Sequence, residues 1–324
     1  MKKLNLLIMP LMAISFLASC GGGDNPGPEP EESNPLAFTC LSEKATLTLI
    51  PLSKFNQNDP IPSLANLEYS YDKKDWIAIP TEITETTLPI FTLNKDETIY
   101  FRGDNPSEIC GSVNFMSLFT GVGYDTEHDG DLEVKGNVMS IVKKENFDQL
   151  TEIIRPGSFY SLFMNNRNIV DASQLILPNN ISKSSTCYRG MFSNCDYLKK
   201  APKLNATTLS EECYKNMFYK CTQLEEAPFL PATELKEQCY MSMFSGCESL
   251  NHVKVGFGTP GSSDWPPIGD SEEAEDATNS WLTGVSSKGT FEWVGNDGTD
   301  ATWTRDVDHV PDGWNIQTIQ PNNN

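Results

Sequence analysis

The stretch CYRGMFSNCDYL at 187–198 returns as CYKNMFYKCTQL at 213–224 and as CYMSMFSGCESL at 239–250, with a fixed spacing of 26 residues. Each copy keeps Cys-Tyr, Met-Phe, Cys and Leu at the same offsets. The segments between copies also match, through Ala201-Pro202 and Ala227-Pro228. A period of this length with so many fixed positions signals units that stack on one another, because one unit alone cannot bury its apolar face.

Within a repeat, Leu209, Cys213, Met217 and Cys221 fall four residues apart with Phe218 beside them, which reads as one face of a helix. Thr208 and Glu211 have the spacing of a capping box at its start. Leu224 to Leu230 is too short and Pro-interrupted for a helix and reads as a short strand and a turn. The expectation is an α/β leucine-rich-repeat solenoid over residues 143–255, short, with about four 26-residue repeats. Phe159, Phe163, Ile169, Ala172 and Leu177 echo the motif without cysteines and read as a degenerate first repeat, as the end of a stack requires.

The cysteines recur as Cys187/Cys195, Cys213/Cys221 and Cys239/Cys247, eight apart in each pair. Zinc favours closer pairs with histidine, and the only histidine in this region is His252. A metal or catalytic site is needed once, whereas these residues appear in every repeat. They are therefore expected to be small buried hydrophobes, ladders of unreacted thiols packed with Phe218 and Phe244, with no metal and no cofactor.

Before the repeats, residues 37–142 are expected to form a small all-β sandwich domain. Ala45 to Ile50, Leu67 to Tyr71 and Glu97 to Phe101 alternate apolar and polar residues between turn clusters. Asp72 to Asp75 reads as a hairpin turn, with Trp76 packing into the core. Arg102-Gly103-Asp104 spells an integrin-type tripeptide but is also ordinary turn chemistry after a strand. Asp125, Glu127, Asp129, Gly130 and Asp131 imitate the opening of a calcium loop, yet Gly136 stands where the bidentate Glu belongs; an acidic hairpin is the other reading. Cys40 and Cys110 are candidates for a disulfide if the chain is exported. Beyond the repeats, residues 256–324 are expected to be a β-rich C-terminal cap; its stretch from Ala277 to Ile319 holds four of the six tryptophans, read as a capping core with sugar stacking as the alternative.

The first residues read as a targeting segment. Lys2 and Lys3 precede an apolar run, and Leu17-Ala18-Ser19-Cys20 resembles a bacterial lipobox, which implies a signal peptide at 1–19 and a diacylglyceryl group on Cys20. Residues 20–36, rich in Gly, Pro and acids, read as a flexible tether. Over the whole 324-residue chain, 44 acidic residues against 24 basic ones give a net charge of -20, which disfavours nucleic acid and anionic lipid surfaces as partners. The lipid anchor is then the only expected membrane contact.

The strand side of each repeat varies where the helix side does not. Lys199 and Lys200 lie one repeat from Glu225 and Glu226, and Asn251 and His252 follow in the next. Strands about 4.8 Å apart would set the opposite charges side by side. These six residues are the candidate binding face on the concave side.

The repeat motif, with its Ala-Pro segments, resembles the BspA-like leucine-rich-repeat surface proteins of Gram-negative gut and oral anaerobes. Leu67 to Tyr71, Tyr100 to Asp104, Gly136 to Ser140, Gly289-Thr-Phe and Pro311 to Trp314 resemble the same architecture outside the repeats. The resemblance implies an outer-membrane, surface-exposed lipoprotein without shared catalytic residues. The function expected is non-enzymatic protein binding or adhesion to a host or bacterial surface component. The alternative is a glycan-binding accessory to polysaccharide capture, which calls for exposed aromatics where the strand face offers chiefly Lys, Glu, Asn and Phe229.

Overall fold

The computed structural model describes residues 34–49, 67–80, 89–105, 118–120, 127–153, 155–258, 274, 276–295, 305–306 and 308–320. Its strands are β1 Leu36–Cys40, β2 Lys44–Leu49, β3 Leu67–Ser70, β4 Ile77–Ala78, β5 Ile90–Asn94, β6 Thr98–Gly103, β7 Phe119–Thr120, β8 Leu132–Asn137, β9 Ile169–Ile176, β10 His252–Val255, β11 Thr290–Val294 and β12 Asn315–Ile319. Alternation in β6 buries Ile99, Phe101 and Gly103 and leaves Thr98, Tyr100 and Arg102 on the outer face.

Two sheets pack face to face at the N-terminal end, with strand orders β4-β3-β6-β1-β8-β9 and β5-β2-β7. Phe38 and Phe101 of one meet Phe119 of the other, with centroids 5.2 and 4.9 Å away, and Phe91 of β5 lies 5.7 Å from Phe101. These edge-on and tilted contacts are the favoured geometry for buried aromatics. β9 pairs parallel to β8, so the larger sheet passes without a break from the antiparallel strands into the repeats. Phe163, from the first turn of the repeats, lies 6.0 Å from both Phe38 and Phe119, so one core serves both parts. Trp76 is not in that core. It lies half exposed, with the Arg102 guanidinium 4.0 Å above its ring and its Nε1 donating to the Lys73 carbonyl at 3.1 Å.

The repeats correct the expected architecture. The described residues contain no α-helix, only two short 3₁₀ turns at Val138–Ile141 and Phe147–Gln149. The α/β leucine-rich-repeat solenoid is therefore overturned, and with it the helix through Leu209, Cys213, Met217 and Cys221. That segment is a run of turns in which every fourth residue has positive φ: Glu212 at 51°, Asn216 at 57° and Lys220 at 59°. Thr186, Gly190 and Asn194, then Gln238, Ser242 and Gly246, repeat the pattern. An α-helix of L-residues has no such positions.

Backbone hydrogen bonding explains why the turns are stable. Arg189, Met191, Ser193 and Cys195 each donate to the carbonyl three residues back, as β-turns do. The residues between them, Tyr188, Gly190, Phe192 and Asn194, donate to Cys213, Lys215, Met217 and Tyr219 of the next rung at 2.7 to 3.0 Å. Alternate amides thus close the turn and tie it to its neighbour, so the buried donors are satisfied without a helix. Inside, Phe192, Phe218 and Phe244 stack at 5.6 Å spacings, and Tyr188, Tyr214 and Tyr240 at 5.7 and 5.9 Å.

Nor does each repeat supply a regular strand. Opposite the turns, the middle of the stack has isolated parallel bridges, Asp171 with Lys200, Glu226 with His252 and Leu230 with Val255. Regular pairing resumes in the parallel sheet β10-β11-β12. A further rung of turns at 276–284, with Trp281 buried against Phe257, completes the ladder. Trp281 and Trp314 place their indole N–H groups on the carbonyls of His309 and Ser286 at 2.9 and 2.7 Å. These rings are interior groups of the end of the stack.

Candidate functional site

The outer face of the large sheet carries a polar strip that reaches into the repeats. Thr39 lies opposite both Thr98 and Glu133, Glu133 opposite Asp171, and Asp171 opposite Lys200. The next rung presents Glu226, which faces His252, and β11 adds Glu292. Along this line two carboxylates, Glu133 and Asp171, precede Lys200, and His252 stands between Glu226 and Glu292.

The expected face residues are exposed or half-buried on this strip, but their partners differ from the expected ones. Lys200 does not pair with Glu226; its Nζ donates to Asp171 at 2.7 Å. Burial pushes the Asp171 carboxyl up, but hydrogen bonds from Lys200 and Ser173 outweigh it, and the group is held below its ordinary value. Glu226 instead meets His252 Nδ1 at 3.2 Å, while Nε2 of the same ring faces Glu292 at 3.3 Å. Lys254 lies 3.7 Å from Glu292 and over the ring of the exposed Phe229. Lys199, Glu225 and Asn251 are exposed, the Asn251 amide donating to its neighbour Ser249. Glu133 and Glu292, outside the repeats, and Asp171, in the degenerate first repeat, were not legible because their register follows from sheet pairing and not from the period.

The six repeat cysteines are buried thiols without disulfides. Cys195, Cys221 and Cys247 donate to the carbonyls of Phe163, Phe192 and Phe218 in the preceding rung at 3.2, 3.1 and 3.0 Å. Burial pushes every one of them up, Cys213 to about 12, so they stay protonated and unreactive at neutral pH. Phe218 and Phe244 stand in the aromatic ladder beside them.

The other candidate motifs are drawn into the fold. Arg102 binds Glu68 at 2.7 Å and covers Trp76, and β6 pairs with β3 through Gly103, so Arg102 and Gly103 belong to the strand and Asp104 follows its end. In the acidic segment, Asp129 accepts from Thr46 Oγ1 and Asn168 Nδ2, both at 2.5 Å, and Asp131 meets His128 Nε2 at 3.0 Å. Both oxygens of Asp129 are taken by protein donors. Gly136, at φ 78°, is required because a Cβ there would lie 2.0 Å from the Pro35 carbonyl. Among the described residues, no group of three or more His, Cys, Asp or Glu is placed to hold a metal ion. Cys20, Asp125 and Cys110 lie outside the described residues.

Comparisons with protein-family models, with curated proteins and with solved structures find no match to this chain.

Proposed function

We propose that this protein is a non-enzymatic binding module, held at the outer surface of a bacterial cell envelope by lipid on Cys20, and that its partner is a protein. The observation that carries the reading is the division of labour within the stack. The interior repeats Cys, Tyr, Met and Phe from rung to rung, whereas the strip changes from Asp171 and Lys200 to Glu226 and His252. A face that differs between rungs holds the information a partner reads, and its charges of both signs favour steering and register over raw affinity. Among the described residues the reactive groups do not converge elsewhere: the repeat thiols are sealed, and both nitrogens of His128 and His252 are engaged by carbonyl or carboxylate oxygens. The motif's likeness to surface proteins and the lipobox-like Leu17 to Cys20 support the location.

The test is binding of the purified mature chain to a panel of host matrix proteins and to a glycan array. Binding to a protein that weakens with salt, and weakens again when Lys199, Lys200, Glu225 and Glu226 are reversed together in a folded variant, is the expected result. Retention by glycans alone would replace it with the polysaccharide-capture reading. Mass spectrometry of the membrane fraction, finding an acylated Cys20, tests the location separately.

A further inference from the structure

In each rung of turns, alternate amides point to the rung that follows. Ser242, Phe244 and Gly246 donate to Asn279, Trp281 and Thr283 at 2.9, 3.0 and 2.7 Å. Their equivalents in the last rung are Ser280, Leu282 and Gly284, and the described residues contain no rung beyond. The Ser280 N–H is taken by the Asp308 carboxylate at 2.5 Å, so a side chain stands where a further rung would supply a carbonyl. No hydrogen bond among the described residues takes up the N–H of Leu282 or Gly284. Both residues line a cavity of about 200 Å³, together with Ser286, Asp306 and Asp312.

We propose that this end of the ladder is a docking site for an extended peptide segment carrying a basic side chain, its carbonyls accepting from Leu282 and Gly284 and its cation beside Asp306 and Asp312. A row of unpaired amides is a template for chain addition, since main-chain bonds supply the affinity and flanking side chains the selectivity. The cavity is smaller than the roughly 300–1,000 Å³ typical of small-molecule sites, so it suits one or two residues and not an oligosaccharide. Charge selects the occupant further. Free amides alone would attract an anion, but Asp306, Asp308 and Asp312 cluster at this end of a chain of net charge -20 and repel one. Burial pushes Asp306 up, and its contact with His309 more than offsets this, so the carboxyl stays ionised. A second copy stacking rung on rung would meet β7 at the other end of the ladder, where the Phe119 N–H bonds the first rung's Leu162 carbonyl at 3.1 Å. The site is separate from the polar strip and does not depend on it.

Amide exchange measured by NMR on the ¹⁵N-labelled full chain tests this, with acetyl-Gly-Lys-Gly-Lys-Gly-amide as the probe. In the free protein the Leu282 and Gly284 amides should exchange fast, and those of Phe244 and Gly246 slowly. The peptide should shift and slow the first pair, and Asp312→Asn should weaken its binding about threefold, as for an exposed ion pair. Reversal of Lys200 should leave it unchanged. Three results would overturn the proposal: equal protection of the two pairs without peptide, an equal response to acetate or to the Glu-containing analogue, or no response of Leu282 and Gly284 to the basic peptide.

Discussion

The thiol of Cys221 donates to the carbonyl of Phe192 one rung back, across 3.1 Å, while the same carbonyl accepts the Cys195 amide at 3.0 Å. The carbonyl therefore keeps one partner when the thiol is removed. Cys221→Ala should cost about 1 to 2 kcal/mol, the sum of a weak hydrogen bond and a small void, read by chemical denaturation. A variant as stable as the parent would show that the thiol contributes nothing.

Phe218 lies between Phe192 and Phe244, at 5.6 Å from each. Truncation opens a void that two stiff neighbouring rungs cannot close, so Phe218→Ala should cost roughly 3 to 5 kcal/mol. A loss under 1 kcal/mol would mean that the stack collapses around the gap.

Lys220, at φ 59°, separates the turn ladder from a helix by the sign of one substitution. Lys220→Gly should stabilise by about 1 kcal/mol here, because the left-handed conformation costs L-residues about that much. In a helix the same change would destabilise by a similar amount. Thermal unfolding of the pair decides between them.

Acid should loosen the stack through Glu212 and Asp171. Burial raises the Glu212 carboxyl, but Lys215 and Arg189 overcome it, and Asp171 behaves likewise with Lys200 and Ser173. Both groups sit below their ordinary values of 4.5 and 3.8, so their contribution is present above those values and is lost as pH falls through the lower folded ones. Glu212→Gln should flatten the decline of stability below about pH 4.5. An unchanged acid limb would remove Glu212 as its source.

The thiols predict the opposite limb. Their folded values lie above the ordinary 9.0, so stability is complete below pH 9 and falls as the unfolded chain ionises above it. Each thiol adds a loss of about 1.4 kcal/mol per pH unit there. Replacing Cys213 and Cys239 with Ala should make the alkaline decline shallower, as urea titrations from pH 8 to pH 10 would show.

The first strands were largely legible from alternation: the stretches read from Ala45, Leu67 and Glu97 overlap β2, β3 and β6. The helix was not, because spacing of four satisfies both a helical face and a four-residue turn. Distinguishing signs were present. Cys-Tyr, Met-Phe and Cys keep a spacing of four without the drift that 3.6 residues per turn imposes. Gly190, Asn194, Asn216 and Gly246 are residue types that accept positive φ. The rung at 276–284 escaped notice because Trp281 and Leu282 replace Met-Phe, although Ser280 and Gly284 keep the left-handed positions. The pairing of Lys200 with Asp171 escaped it because Asp171 lies on an eight-residue strand with no counterpart in later repeats.

Equivalent turn positions Gly157, Thr186, Glu212, Gln238 and Asp276 are separated by 29, 26, 26 and 38 residues, although the left-handed positions within each rung always stand four apart. The turns act as a spine of constant length, while the return path between them tolerates added chain. Extra residues inserted into that path lengthen a loop on the opposite side and leave the aromatic column in register. A single residue inserted into the spine would exchange the amides that close the turns with those that join the rungs, and disconnect one rung from the next. Variation in this architecture is thereby channelled to one side of the molecule, which makes the return path the natural place to graft new recognition loops.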